Sequence, residues 1–214
     1  MEVAIGTLRI SPKYSAKDWS TLVRGAPEDW ARAADIVRDR LEGRFLRFAD
    51  SWLTDPFSGF VVLAVDCLLA ETLQQFRAGE TSGSGKSKRY ITQFLSGPRF
   101  QPDFDQDARL RFYEDVRCGL LHQAEAKGMW LVRRGQSKML RIVTNGSGYI
   151  IDVERFHDAV RLSLEDYCRD IVDSSQEDLR GNLWRKMEQI CGIRTARGLL
   201  FEADDDTSEL HKAT

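Results

Sequence analysis

The stretch "DVRCGLLHQAEAKG", residues 115–128, carries two side chains suited to holding an oxyanion and moving a proton. His122 is one of only three histidines in the chain, and an imidazole gives or takes a proton near neutral pH. Arg117 stays protonated, and its planar fork matches two phosphate oxygens at once. Five positions along a helix separate the two by about 140°, so they do not share a face. At 100° per residue, Leu110, Tyr113, Val116, Leu120 and Ala124 form an apolar arc that includes Arg117, while His122 projects nearly opposite Tyr113. A charge among core-facing residues is costly unless it is paired or faces a wet cleft. Two explanations stand side by side. Arg117 forms an internal ion pair with Asp66 or Glu71 and His122 is an exposed partner of Glu125, or both residues line a groove that something else completes.

The elements that must place this pair are mostly helical. "SAKDWSTLV" opens with a capping box, Ser15 and Asp18, and "PEDWARAADIVRDRLEGRFLRFADSWL" repeats apolar residues at helical intervals from Trp30 to Phe48. "DPFSGFVVLAVDCLLAETLQQFRAG" reads as a helix capped by Asp55, with Pro56 first and Gly79 as the stop; it is apolar on most faces, as a central helix would be. "KRYITQFL" reads as a short helix and "DFDQDARLRFYEDVRCGLLHQAEAKG" as a long one ending near Gly128. The period then changes. "MWLVRR", "MLRIVT" and "GYIIDV" are short, rich in β-branched and aromatic residues, and separated by "GQSK" and "NGS" turn signals. Helical spacing returns through Phe156, Val160, Leu164 and Tyr167, and a capping box of Ser174 and Glu177 opens a last helix. The expected fold is mainly α: a bundle of about five long helices, with a small antiparallel β-meander at about 129–152 inserted before the last two. Residues 1–27 read as an N-terminal extension, 28–192 as the helical domain, and 193–214 as an acidic tail with little to pack, expected to be disordered.

Composition narrows the class. Hydrophobic content of 42% and charged content of 30% over 214 residues describe a globular chain with a sizeable core. No apolar run reaches the roughly 18 residues of a membrane span; the longest, from Phe60, is interrupted by Asp66 and Glu71. The N-terminus shows no secretory pattern, which favours the cytoplasm. Cys67, Cys118, Cys168 and Cys191 lie far apart in helical patterns, so reduced thiols and no metal site or cofactor are expected. "GETSGSGKSK" falls short of a phosphate-binding loop, because the required first glycine position holds Glu80 and the preceding segment is a helix, not a strand. The net charge of −2 hides an asymmetry: residues 81–141 hold twelve Lys or Arg against six Asp or Glu. Such a local excess suits a polyanion, or equally a solvated set of helix faces.

A basic helix with Arg, four residues and His ("RCGLLH"), following an apolar helix in an all-α bundle, resembles the HEPN superfamily over roughly residues 28–173. The resemblance implies a metal-independent endoribonuclease, commonly acting at a homodimer interface, with Arg117 and His122 as the catalytic pair. It also implies RNA as substrate, and a setting among toxins or anti-phage effectors with a protein antitoxin or regulator as a further partner. Many active members carry a polar residue, often Asn, directly after the arginine; this chain has Cys118. The chemistry is coherent: cleavage without metal needs a base for the 2′-hydroxyl, an acid for the leaving 5′-oxygen and positive charge for the phosphorane. One histidine does not comfortably make both proton transfers, and a twofold dimer brings a second copy of each group. Lys86, Lys88, Arg89, Lys127, Arg133 and Arg134 are the candidate RNA contacts, and Trp130 reads as core. A noncatalytic helical module binding RNA, a nucleotide or a protein is the alternative, and a plain scaffold with Arg117 in a structural ion pair the third.

Overall fold

The fold is described by a computed structural model covering residues 8–82, 85–143 and 148–192; the acidic tail and the "NGS" turn lie outside these residues. After α1 (Ala16–Ser20), a helical rod runs through α2 (Asp29–Leu41), a π-helical turn (Glu42–Leu46) and α3 (Arg47–Trp52). α4 (Gly59–Ala78) and the short α5 (Ser87–Phe94) follow. A second rod runs through α6 (Gln106–Arg111), another π-helical turn (Phe112–Arg117) and α7 (Cys118–Gln123). The strands β1 (Trp130–Arg133), β2 (Leu140–Ile142) and β3 (Tyr149–Asp152) lead into α8 (Val153–Val172) and α9 (Glu177–Ile190). The expected mainly helical bundle, with five long helical stretches and a small sheet before the last two, is the observed architecture.

α4 is the centre of the bundle, packed against α5, α8 and α9. It is 20 residues long with mean hydropathy 1.4, which by length and composition alone would span a membrane. Here that apolar content is divided between two stripes. Val62, Leu63, Leu69, Ala70, Leu73 and Phe76 are buried in the core, and a second stripe faces the groove described below. Gly79 ends the helix at φ 62°, a left-handed conformation that glycine adopts without strain. The Ser15–Asp18 capping box forms as expected and sets Trp19 into the core, 5.1 Å from Trp184 of α9. Phe156, Val160, Leu164 and Tyr167 are the buried face of α8, and Trp130 is core as expected.

The sheet departs from the expected meander. Its order is β1-β3-β2, with β3 parallel to β1 and antiparallel to β2. The β1–β2 connection cannot close as a hairpin because it is anchored elsewhere. Arg134 donates to the carbonyls of Leu53 and Asp55 and to Ser58 Oγ, and the Gln136 amide donates to Asp152. The chain is carried past the end of β3, which slots between its two predecessors. Three helix ends also differ. α4 begins at Gly59 because Asp55 accepts from Phe57 N–H and forms a turn of its own. α9 begins without a side-chain cap, since Asp173 takes the Ser175 amide instead. α7 ends at Gln123, where Ala124 turns left-handed, rather than near Gly128.

The most buried polar feature joins three helices. His157 of α8 is wholly inaccessible; its Nδ1 lies 2.8 Å from Asp66 Oδ1 of α4 and its Nε2 3.0 Å from Asp50 Oδ1 of α3. Burial pushes the imidazole pKa down, but the bonds and charges of Asp66 and Asp50 outweigh it and hold it above 6.5. Burial raises the Asp66 carboxyl to about 6, against the pull of His157. Both folded-state values exceed the unfolded ones, so the folded chain binds more protons and the network's contribution falls as pH rises. The Asp66 part is present in full below the ordinary carboxylate value and lost as pH passes about 6. The His157 part is present in full below the ordinary histidine value and lost as pH passes the raised one. Removing one partner, as in His157→Ala, is expected to cost about 3–5 kcal/mol in denaturant titration. The stability gap between wild type and the neutral double variant Asp66→Asn/His157→Gln should be larger at pH 6 than at pH 8.5. An equal gap at both would show that no titrating proton is involved.

Candidate functional site

A groove of about 460 Å³ runs between α4, the first π-helical turn and α7. Val61, Ala64, Val65, Leu68, Thr72 and Gln75 of α4 line it with Glu71, at the three- and four-residue spacing of one helix face. Phe45 closes one side, and Arg117, Leu120 and Leu121 the other. Both π-helical turns deliver a residue to it: Phe45 lies within the first, and Arg117 ends the second. Residues three and four apart share one helix face. That explains why Ala108, Phe112, Val116 and Gly119 are the buried stripe of the second rod. The expected arc of Leu110, Tyr113, Leu120 and Ala124 lies at or outside its edge. Arg117 therefore sits on the flank of the core, at the groove.

There the guanidinium meets Glu71. Arg117 Nη2 donates to Glu71 Oε2 at 2.9 Å, with side-chain exposures of 18% and 16%. The same oxygen accepts from Ser87 Oγ at 2.6 Å, and the guanidinium carbon lies 5.8 Å from the Tyr113 ring centroid. Burial works to lower the Arg117 pKa, but the Glu71 bond and charge outweigh it and hold it above its ordinary value. Asp66, the other expected partner, is turned the opposite way and belongs to His157. His122 is exposed, does not line the groove, and has no hydrogen bond or ion pair with any described residue, Glu125 included. One chain thus places the arginine in the groove and leaves the histidine outside it.

The candidate RNA contacts do not converge on this groove. Lys86 is paired with Glu80 at 2.6 Å and Lys88 with Glu114 at 2.7 Å. Arg134 is not a free cation: its fork anchors the β1–β2 connection. Arg133 is exposed and donates to the Val132 carbonyl at 3.0 Å. Arg89 is exposed and Lys127 half-buried, neither in a salt bridge among the described residues. Of the cations in residues 81–141, Lys86, Arg99 and Arg117 pair with carboxylates from outside that stretch. Asp115 accepts from the Trp130 indole at 3.2 Å. Sequence reasoning missed the groove residues Phe45, Thr72 and Gln75, although the second stripe on α4 was a legible signal. Nothing in the local sequence marks Ser87.

No group of three or more metal-ligating side chains occurs among the described residues, and all four cysteines are free, with Cys118 the least buried. Burial pushes the Cys67, Cys168 and Cys191 thiols up, which leaves them poor nucleophiles. The comparisons bring no relative: no family model, no curated protein and no solved structure matches the chain.

Within "RCGLLH", Gly119 has a packing role. After Ala124 the chain folds back over α7, and the Lys127 amide donates to the Asp115 carbonyl at 2.8 Å. A Cβ on Gly119 would collide with the Glu125 carbonyl and crowd the Lys127 amide, both of them backbone. Gly119→Ala gains about 1 kcal/mol in helix propensity, but the overpacking costs roughly 1–3 kcal/mol. A lower melting temperature is expected, with faster hydrogen exchange at the Lys127 amide. Unchanged exchange there would mean that the fold-back does not depend on the glycine.

Proposed function

We propose that the chain is a metal-independent endoribonuclease of the HEPN type, its site completed by a second copy of the chain. The observation that carries this reading is the division of the pair. Arg117 opens on a groove and His122, five residues on, faces solvent beside it, so a partner surface is what would bring a histidine to an arginine. Exposed apolar side chains flank them: Val61 and Leu68 are each 45% accessible and Leu121 56%. A second copy related by a twofold axis would cover this surface and supply its own Arg117 and His122. The imidazoles then serve as base and acid, and the guanidinium fork holds the phosphorane oxygens. A place among toxins or anti-phage effectors, with RNA as target and a protein antitoxin as regulator, follows from the HEPN resemblance alone.

A second reading has its own support. Glu71 already occupies one edge of the Arg117 guanidinium, and the groove is mostly apolar, which suits a noncatalytic module that docks a partner. Incubating the purified chain with single-stranded RNA in EDTA separates the two. Cleavage is expected to survive chelation and to fall about 100- to 1000-fold in both Arg117→Ala and His122→Ala. Sedimentation should give a dimer. RNA binding without cutting would favour the module. Unfolding of Arg117→Ala together with an inert His122→Ala would leave only a scaffold.

A further inference from the structure

We infer that Glu71, held by Ser87, is the positioning residue for Arg117: it fixes the guanidinium at the mouth of the groove so that its remaining N–H groups are presented to a phosphate. This rests on the ribonuclease reading and adds to it a residue that neither composition nor the Arg–His spacing assigns. The geometry is that of a clamp. Glu71 Oε2 takes two hydrogen bonds, from Arg117 Nη2 at 2.9 Å and from Ser87 Oγ at 2.6 Å, and so ties α4, the start of α5 and the end of the second π-helical turn at one atom. Ser87 is the first residue of α5, which packs along α4, so its hydroxyl is placed by a helix rather than by a loop.

An arginine side chain has four rotatable torsions, and an unheld one spends its binding energy on becoming ordered. The clamp removes that cost while using one nitrogen of the fork. A guanidinium has five N–H donors, and Glu71 Oε2 is the sole carboxylate oxygen in a salt bridge with it among the described residues. The Tyr113 ring lies against the guanidinium and limits its swing. Orientation is gained at an electrostatic price. A carboxylate 2.9 Å from the guanidinium offsets its charge and repels an incoming phosphate. The two effects act on different kinetic constants, which separates this role from a merely structural ion pair.

Glu71→Gln keeps an acceptor oxygen and removes the charge. Its KM for a single-stranded RNA is expected to fall severalfold, and its kcat by about 10-fold, as the fork is held less firmly. Glu71→Ala should lose about 100-fold in kcat, and Ser87→Ala a smaller factor of the same kind. A uniformly 2′-deoxy oligonucleotide, which cannot be cut through a 2′-hydroxyl, should bind Glu71→Gln more tightly than wild type. In nitrogen–proton NMR spectra, a resolved Arg117 side-chain signal should be present in wild type and broadened in Glu71→Ala, with the backbone spectrum retained. The inference is overturned if that signal is unmoved in Glu71→Ala, or if Glu71→Gln matches wild type in kcat, KM and deoxy-oligonucleotide affinity. It is also overturned if Glu71→Ala lowers only the melting temperature. If wild type cuts no RNA while the NMR signal and oligonucleotide affinity shift as stated, the ribonuclease reading falls and the Glu71 clamp on an anion-binding arginine stands.

Discussion

The rotation of α4 about its own axis is the constraint from which the rest of the structure follows, and Asp66 fixes it. A carboxylate with no solvent contact must find a partner, and its partner is the equally buried His157 of α8. No other rotation of α4 brings Asp66 to that imidazole. Glu71 lies five residues further along, about 140° around the helix. Once Asp66 is committed to α8, Glu71 must face away from it, toward the second rod, where Arg117 waits. The two acids that interrupt the most apolar helix of the chain therefore mark its two sides. One pins the core, and the other defines the groove.

The second rod is set about its axis by its own buried stripe. Its buried residues, Ala108, Phe112, Val116 and Gly119, recur at three- and four-residue spacing, and Arg117, one residue past Val116, is turned off that face. Phe112 and Val116, within the π-helical turn at Phe112–Arg117, are both in the core. Phe112 stacks on Phe156 of α8 with ring centroids 5.1 Å apart. Arg117 is left at the edge, one side against Tyr113 and the other toward Glu71. The aromatic packing of one turn thereby decides the electrostatics of the next.

How much of this could be read from the residues follows from which forces are local. Helix periods, the Ser15–Asp18 box and the glycine stop at Gly79 are set within a few positions and were legible. The strand composition of residues 130–152 was legible too, but not the pairing order, because that depends on Arg134 reaching carbonyls about eighty residues away. The capping boxes differ for a related reason. Ser15 and Asp18 bond each other within one turn, whereas the segment before α9 is taken by Asp173. At the candidate site, the ion pair between Arg117 and one of two acids was foreseen, and the choice of Glu71 needed the rotation of α4. The arc read on the second rod was centred on Tyr113 and Leu120, whereas the buried stripe runs through Ala108, Phe112, Val116 and Gly119, because Phe112 is claimed by the aromatic core.

Two departures from local preference bracket the Arg–His pair. The π-helical turn ends at Arg117, and Ala124, two residues past His122, holds φ 54° where glycine is the usual occupant. An alanine in that conformation costs about 1 kcal/mol or more, and a π-helical turn gives up regular hydrogen bonding. Neither is needed to end a helix, since a glycine would do so without strain. Both are held from outside: the first by Phe112 in the aromatic core, the second by the fold-back that ties Lys127 and Trp130 to Asp115. Strain kept in place by surrounding contacts is characteristic of positions whose side-chain placement matters more than stability. Between the two, α7 is six residues long, with the groove-facing arginine just before it and the solvent-facing histidine near its end.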